Sequence, residues 1–227
     1  MNILVTGGLG KTAQPILDLL REAGHNVASF DICAGGDVRD CGAVNRAMRG
    51  MDAVIHLAVN TADTYNDRLT FETNVFGTYN VLHCAHSHNV QKTLIASSAP
   101  VHTAGGLCSP GEDFAYDLTK CLQEQIARQF SRTYAMDVMV LRLGHIVDGK
   151  RKINLDDGLP LSELSYCRGG WVCKYDVARA FAKAIEADFS GYYLLHVIGS
   201  YQAAASFDVS SAGALIGFAC AERFLEY

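Results

Sequence analysis

The chain has 227 residues, 49% of them hydrophobic, enough to bury a substantial core. Its formal net charge of -5, with no run of Lys and Arg, argues against a dedicated nucleic-acid binder. Eight cysteines, at positions 33, 41, 84, 108, 121, 167, 173 and 220, include no Cys-x-x-Cys pair. No charged-then-apolar leader opens the sequence, so free thiols in a reducing cytoplasm are expected. No apolar stretch is long and charge-free enough to span a bilayer.

Apolar runs alternate with helical patterns from the first residue. Residues 2–6 read as a strand, followed by the glycine-rich stretch Thr6-Gly7-Gly8-Leu9-Gly10-Lys11-Thr12-Ala13. Residues 11–23 place Ile16, Leu17, Leu19 and Leu20 at helical spacing, with Gly24 as the stop. A second strand is predicted over 27–32, a very short third at Asp37-Val38, and a short helix over 43–49. A fourth strand over 53–59, a long helix over 69–88 and a fifth strand over 93–97 follow. Another long helix covers 112–134, and a sixth strand 138–143. Strands that are apolar throughout, separated by helices, indicate a parallel sheet covered on both faces. The fold class is therefore α/β, a doubly wound parallel sheet with ligands at the carboxyl ends of its strands. After Gly144 the pattern loosens. Residues 148–166 read as polar and irregular, 174–187 as a helix, 192–198 as a last strand and 210–218 as a short helix. The expected organisation is a single domain, with a nucleotide-binding core over 1–144 and a compact substrate-binding portion over 145–227.

Gly7, Leu9, Gly10 and Lys11 lie between the first strand and the first helix. Glycine there permits a tight turn and close approach of backbone N–H groups to a phosphate, aided by the helix N-terminus. Asp31, at the end of the second strand, can accept both ribose hydroxyls of an adenosine and would repel a 2′-phosphate, which favours NAD over NADP. Lys11 pulls the other way, because a cation in the loop attracts that phosphate. Asp37 and Val38 are placed to bracket an adenine. Leu57 and Ala58, at the end of the fourth strand, let backbone approach the cofactor, and His56 reads as a hydrogen-bonded structural histidine.

Tyr116 and Lys120 are four residues apart and share one helix face. A Tyr hydroxyl, with a pKa near 10, is a poor base at neutral pH. A neighbouring ammonium stabilises the phenolate. Ser98, at the end of the fifth strand, is placed to orient a substrate oxygen, while its neighbour Ser97 faces the other way. His145 follows the sixth strand where a pocket should open, and Arg168 is a candidate carboxylate anchor. Arg142 reads as a structural ion-pair partner and Asp156-Asp157 as a solvated turn. No His or Cys spacing supports a metal.

Together these residues resemble the short-chain dehydrogenase/reductase superfamily, specifically its extended, epimerase-like branch. The matching pieces are Thr6 to Ala13, Asp31, Asp37-Val38, His56 to Ala58, Asn74 to Thr78, Ser97 to Val101, Tyr116 with Lys120, and Leu141 to Gly144. The resemblance implies a Rossmann fold, a Ser98–Tyr116–Lys120 catalytic set, Asn74 in a supporting role, and a homodimer through the two long helices. His102 stands where the branch usually has Tyr, and Ala99-Pro100 stands where dehydratases place an acidic pair. The compact tail and Arg168 ahead of Trp171 are closer to uronate dehydrogenases. The expectation is an NAD-dependent oxidoreductase acting on a small polar hydroxy or carbonyl compound, such as a sugar acid. The alternatives are an epimerase that oxidises its sugar transiently, or a catalytically silent dinucleotide-binding protein.

Overall fold

The computed structural model describes residues 1–61, 67–99, 114–164, 170–202 and 206–225. Its central sheet contains β1 (Asn2–Thr6), β2 (Asn26–Phe30), β3 (Ala53–His56), β4 (Lys92–Ser98), β5 (Val138–Leu143) and β9 (Tyr192–Val197). They run parallel in the order β2-β1-β3-β4-β5-β9. Alternation along each strand divides the core into two layers. Ile3, Val5, Ile55, Leu94, Met139 and Leu141 pack with α1 (Ala13–Glu22), α6 (Lys174–Glu186) and α7 (Ser210–Ile216). Leu4, Val54, Ile95, Val138 and Val140 pack with α2 (Cys41–Ala47), α4 (Gly77–Ser87) and α5 (Phe114–Tyr134). This is the expected doubly wound sheet. The chain leaves β1 for β2 on one side and returns to β3 on the other, so a crevice opens where β1 and β3 end.

Asp37-Val38 is not a strand. It lies in a turn after the 3-10 segment Ile32–Ala34. The Asp37 carboxylate accepts from the Arg39 backbone N–H at 2.9 Å, a local bond that competes with strand pairing. Val38 is buried in the second core layer instead. The third sequence helix starts earlier than expected, as α3 (Asp67–Phe71), and is widened by a π-helical turn, Glu72–Phe76, before α4. The stretch expected to be irregular after β5 contains β6 (His145–Asp148) and β7 (Ile153–Asn154). With β8 (Trp171–Cys173) these make a second, three-stranded sheet, β7-β6-β8, over a small core of Val147, Leu161, Trp171, Cys173 and Phe224. Strands of two to four residues are too short to show a period. Among the described residues no helix is long and apolar enough to cross a membrane.

Candidate active site

The glycine-rich turn sits at the crevice. Gly7 has φ +69, and its N–H donates to Phe30 O at 2.8 Å. A Cβ on Gly7 would lie 2.6 Å from Ala58 N, because the backbone leaving β3 at Leu57 and Ala58 passes directly over it. Gly10 and Ala13 continue the turn through Gly10 N to Gly7 O and Ala13 N to Gly10 O, at 3.0 and 3.1 Å. Thr12 precedes α1 without a side-chain cap, and the first turn of α1 carries no acid. The uncapped N–H groups and the positive dipole end therefore suit an anion. Asp31, 8% exposed, ties this loop to the end of β2. One of its oxygens accepts from Leu9 N at 3.0 Å and the other from Cys33 N at 2.9 Å. A carboxylate retains further lone pairs for a diol. Asp37 is gripped by the Arg39 guanidinium at 2.6–3.0 Å, which holds its carboxyl below the usual carboxylate range. Lys11 pairs with Asp156 at 3.0 Å, both side chains exposed.

Beneath the crevice runs a buried polar network. Lys120, 3% exposed, donates to Ala96 O at 2.8 Å and to Gln123 Oε1 at 3.0 Å. Its ammonium lies 5.8 Å from the centre of the Tyr116 ring. Burial pulls the Lys120 pKa down to about 8, against the opposing field of Glu124. Gln123 Nε2 donates to Thr78 Oγ1 at 2.9 Å, and the Thr78 hydroxyl donates to Asn74 O at 2.6 Å. With its one hydrogen so used, Thr78 accepts from His56 Nε2 at 3.0 Å. His56 Nδ1 then accepts from the Thr6 hydroxyl at 2.7 Å. His56 is thus a structural histidine in a fixed neutral tautomer. Asn74 Oδ1 accepts from Asn60 N at 2.8 Å, and its Nδ2 donates to Thr119 Oγ1 at 3.0 Å. Thr119 donates in turn to Tyr116 O at 2.8 Å. The π-helical turn carries Asn74 into this position.

Burial, with Lys120 adding to it, lowers the His56 pKa from 6.5 to about 3. Below pH 6.5 the unfolded chain takes up a proton that the folded chain refuses. The stability linked to His56 is therefore intact above pH 6.5 and lost as pH falls towards 3, by roughly 4 kcal/mol at the end of that window. Urea unfolding at pH 7, 5 and 4 should show a flatter decline for His56→Gln than for the wild type. Parallel declines would mean that His56 is not the group responsible.

Ser98 ends β4 half-buried, in register with Leu143. Ser97 points away, donating to Glu124 Oε1 at 2.6 Å. Arg142 grips the same carboxylate from Nε and Nη2 at 2.9 and 2.7 Å, the structural ion pair expected of it. His145 lies in β6, its Nε2 bonded to Asn154 Oδ1 at 2.9 Å, and Asn154 Nδ2 donates to Asp157 at 2.9 Å. His102 and Arg168 lie outside the described residues. Among the described residues no cluster of three or more His, Cys, Asp or Glu could hold a metal. Sequence reasoning met Thr78 only as the end of a motif and missed Gln123 and Glu124. Their one signal is polarity at positions where α4 and α5 face the core.

A profile of the NAD dependent epimerase/dehydratase family matches residues 3–157. The chain belongs to this family of NAD-dependent enzymes. L-arabinose 1-dehydrogenase (NAD(P)(+)) of Haloferax volcanii is 25% identical over 173 residues, 66% of this chain and 66% of that protein. Uronate dehydrogenase of Agrobacterium fabrum is 26% identical over 162 residues, 63% of this chain and 60% of its own length. The chain thus spans just under two thirds of these curated relatives. A short-chain dehydrogenase/reductase superfamily protein from Agrobacterium tumefaciens with bound NAD superimposes with a TM-score of 0.75 at 22% identity. That match covers 96% of this chain and 84% of the other, a likeness of fold. The residues present fit the family's cofactor: a side-chain-free turn at Gly7, an uncapped helix end beyond it, and a carboxylate at the end of β2.

Proposed function

We propose that this chain is an NAD-dependent dehydrogenase or reductase acting on a small, polar hydroxy or carbonyl compound, a free sugar or sugar acid. The observation that carries the reading is the buried Lys120 ammonium, fixed by Ala96 O and Gln123 next to the Tyr116 ring at the carboxyl end of β4. Few structural roles call for a buried ammonium that bonds a carbonyl and an amide oxygen and makes no ion pair among the described residues, and its desolvation is costly unless the charge has a use.

In this reading Tyr116 moves the proton of the substrate oxygen. Lys120 stabilises the phenolate through the N–H left after its two bonds, and the same N–H can hold a ribose hydroxyl. Ser98 orients the substrate oxygen, since Ser97 is committed to Glu124. Bound NAD supplies the hydride acceptor or donor. Gly7, Leu9 and Gly10 with the start of α1 hold the pyrophosphate, and Asp31 holds the adenosine ribose. Asp37 and Val38 flank the adenine, with Leu57 and Ala58 forming the floor. Asn74 keeps Tyr116 in place through Thr119. The Lys11 charge is offset by Asp156 and that of Arg39 by Asp37, so neither presents an uncompensated cation to a 2′-phosphate. This supports NAD over NADP. His145 faces the substrate from the small sheet, with His102 and Arg168 as further contacts. The small free substrate is supported by the arabinose and uronate dehydrogenases among the relatives.

The test is a nicotinamide absorbance assay with NAD and NADP in parallel, against free sugars, uronic acids and small hydroxy acids. Net NADH on the sugar or sugar-acid class is expected, with NAD preferred. Sugar interconversion without net NADH would replace this reading with the epimerase.

A further inference from the structure

Cys41 opens α2 and Cys84 lies in α4, and their sulfur atoms are 4.0 Å apart across the helix pair. The Cys84 thiol also points at Cys41 O, 3.8 Å away. Both are free thiols of opposite exposure: Cys41 is open to solvent and Cys84 is 1% exposed. Neither has a part in the network beneath the crevice. Burial, with Cys41 alongside, pushes the Cys84 thiol up to about 12, so Cys84 remains a protonated, shielded partner while Cys41 meets any oxidant first.

We propose that Cys41 and Cys84 form a redox modification site, at which a hydroperoxide converts the dithiol into an intramolecular disulfide. The Cys41 sulfur attacks the O–O bond of the hydroperoxide and takes one oxygen as S–OH, releasing water or an alcohol. The Cys84 sulfur then attacks the Cys41 sulfur. The S–S bond forms, the S–O bond breaks, and hydroxide leaves with the Cys84 proton as water. The sulfur pair loses two electrons and the hydroperoxide gains them.

Bonding brings the sulfurs together by about 2 Å. Cys84 is fixed in the second core layer, whereas Cys41 begins a seven-residue helix at the surface, so the residue 41 end moves. The segment ahead of it is held from the same helix as Cys84. Asn80, one turn before Cys84, donates to Val38 O at 3.0 Å and to Arg39 O at 3.1 Å. Drawing residue 41 towards α4 therefore shifts the turn bearing Asp37 and Val38 and weakens NAD binding. This consequence rests on the assignment of that turn to the adenine. The disulfide does not.

The experiment treats the reduced protein with hydrogen peroxide, blocks remaining thiols and maps the peptides by mass spectrometry. A Cys41–Cys84 cross-link is expected, lighter by about 2 Da than the two thiol peptides. It should be reversed by dithiothreitol and be absent from Cys41→Ser, an exposed substitution. Cys41 driven to sulfinic or sulfonic acid while Cys84 remains alkylatable, or links only between chains, would overturn the site. Calorimetric titration with NAD supplies the second arm. A several-fold weaker affinity after oxidation of the wild type, and none in Cys41→Ser, is expected. Equal affinities would overturn the coupling. Reduced protein that does not bind NAD at all would instead defeat the cofactor reading, and the peptide map would still decide the disulfide.

Discussion

Tyr116→Phe should lower kcat by about a hundred- to ten-thousand-fold, the range for removing one general acid–base group. That corresponds to roughly 3–5 kcal/mol of transition-state stabilisation. The substitution takes away one oxygen and keeps the ring, so contact with the Lys120 ammonium at 5.8 Å survives. The bond from the Thr119 hydroxyl to Tyr116 O also survives, so the fold and the Asn74–Thr119 brace should be intact. NAD affinity should therefore change by less than about twofold while turnover collapses, the pattern of an interaction made only in the transition state. The measurement is steady-state kinetics on the substrate found in the absorbance screen, with NAD titrated separately. Full turnover by Tyr116→Phe would falsify the assigned proton transfer. A parallel fall in NAD affinity would make Tyr116 a packing residue.

The roles proposed for Tyr116 and Lys120 were open to sequence reasoning because both depend on local spacing. Two residues four apart on a helix share a face wherever that helix lies. The inner strands of the central sheet were legible for a similar reason: β1, β3, β4 and β5 are largely buried on both faces, since helices cover both. What could not be read was anything set by a contact between distant elements. Gln123 and Glu124 follow Lys120 by three and four residues and look like ordinary helix-surface polar groups. Their meaning comes from Thr78, 45 residues away, and from Ser97 and Arg142 on neighbouring strands. His56 was legible as structural, but its tautomer follows only once Thr6 and Thr78 are seen on either side. Asp37-Val38 reads from the sequence as a very short strand. Side-chain bonds from Asp37 to Arg39, over only two residues, prevail there because a strand of that length has almost no ladder to gain. The small sheet of β6, β7 and β8 was hidden by the brevity of its strands, which are held together by Trp171 and Phe224 from remote parts of the chain.

Gly7→Ala should cost far more than the same change at Gly35 or Gly50, two other glycines of left-handed backbone, and the comparison isolates why. Gly35 and Gly50 have φ of +82 and +71, and a Cβ on either meets nothing within 4 Å. Alanine there should cost only backbone strain, about 1 kcal/mol. Gly7, at φ +69, incurs the same strain. In addition its Cβ would sit 2.6 Å from Ala58 N and 2.9 Å from the Leu57 carbonyl carbon. Those are backbone atoms, so no rotamer change relieves the clash. Relief requires parting the ends of β1 and β3, where Leu57 N bonds to Thr6 O at 3.0 Å and Ala58 N to the Thr6 hydroxyl at 3.4 Å. The same Thr6 hydroxyl holds His56, so parting the strands also disturbs a buried histidine. A total loss of roughly 3–5 kcal/mol is expected, in the range of severe overpacking with a broken buried network. Urea unfolding of the three variants measures it. A Gly7→Ala midpoint equal to that of Gly35→Ala would show that the ends of β1 and β3 part freely. The crevice would then be set by something other than the close approach of these two strands. A large loss, with the remaining folded protein unable to bind NAD, would tie the stability of the sheet and the shape of the cofactor turn to one missing side chain.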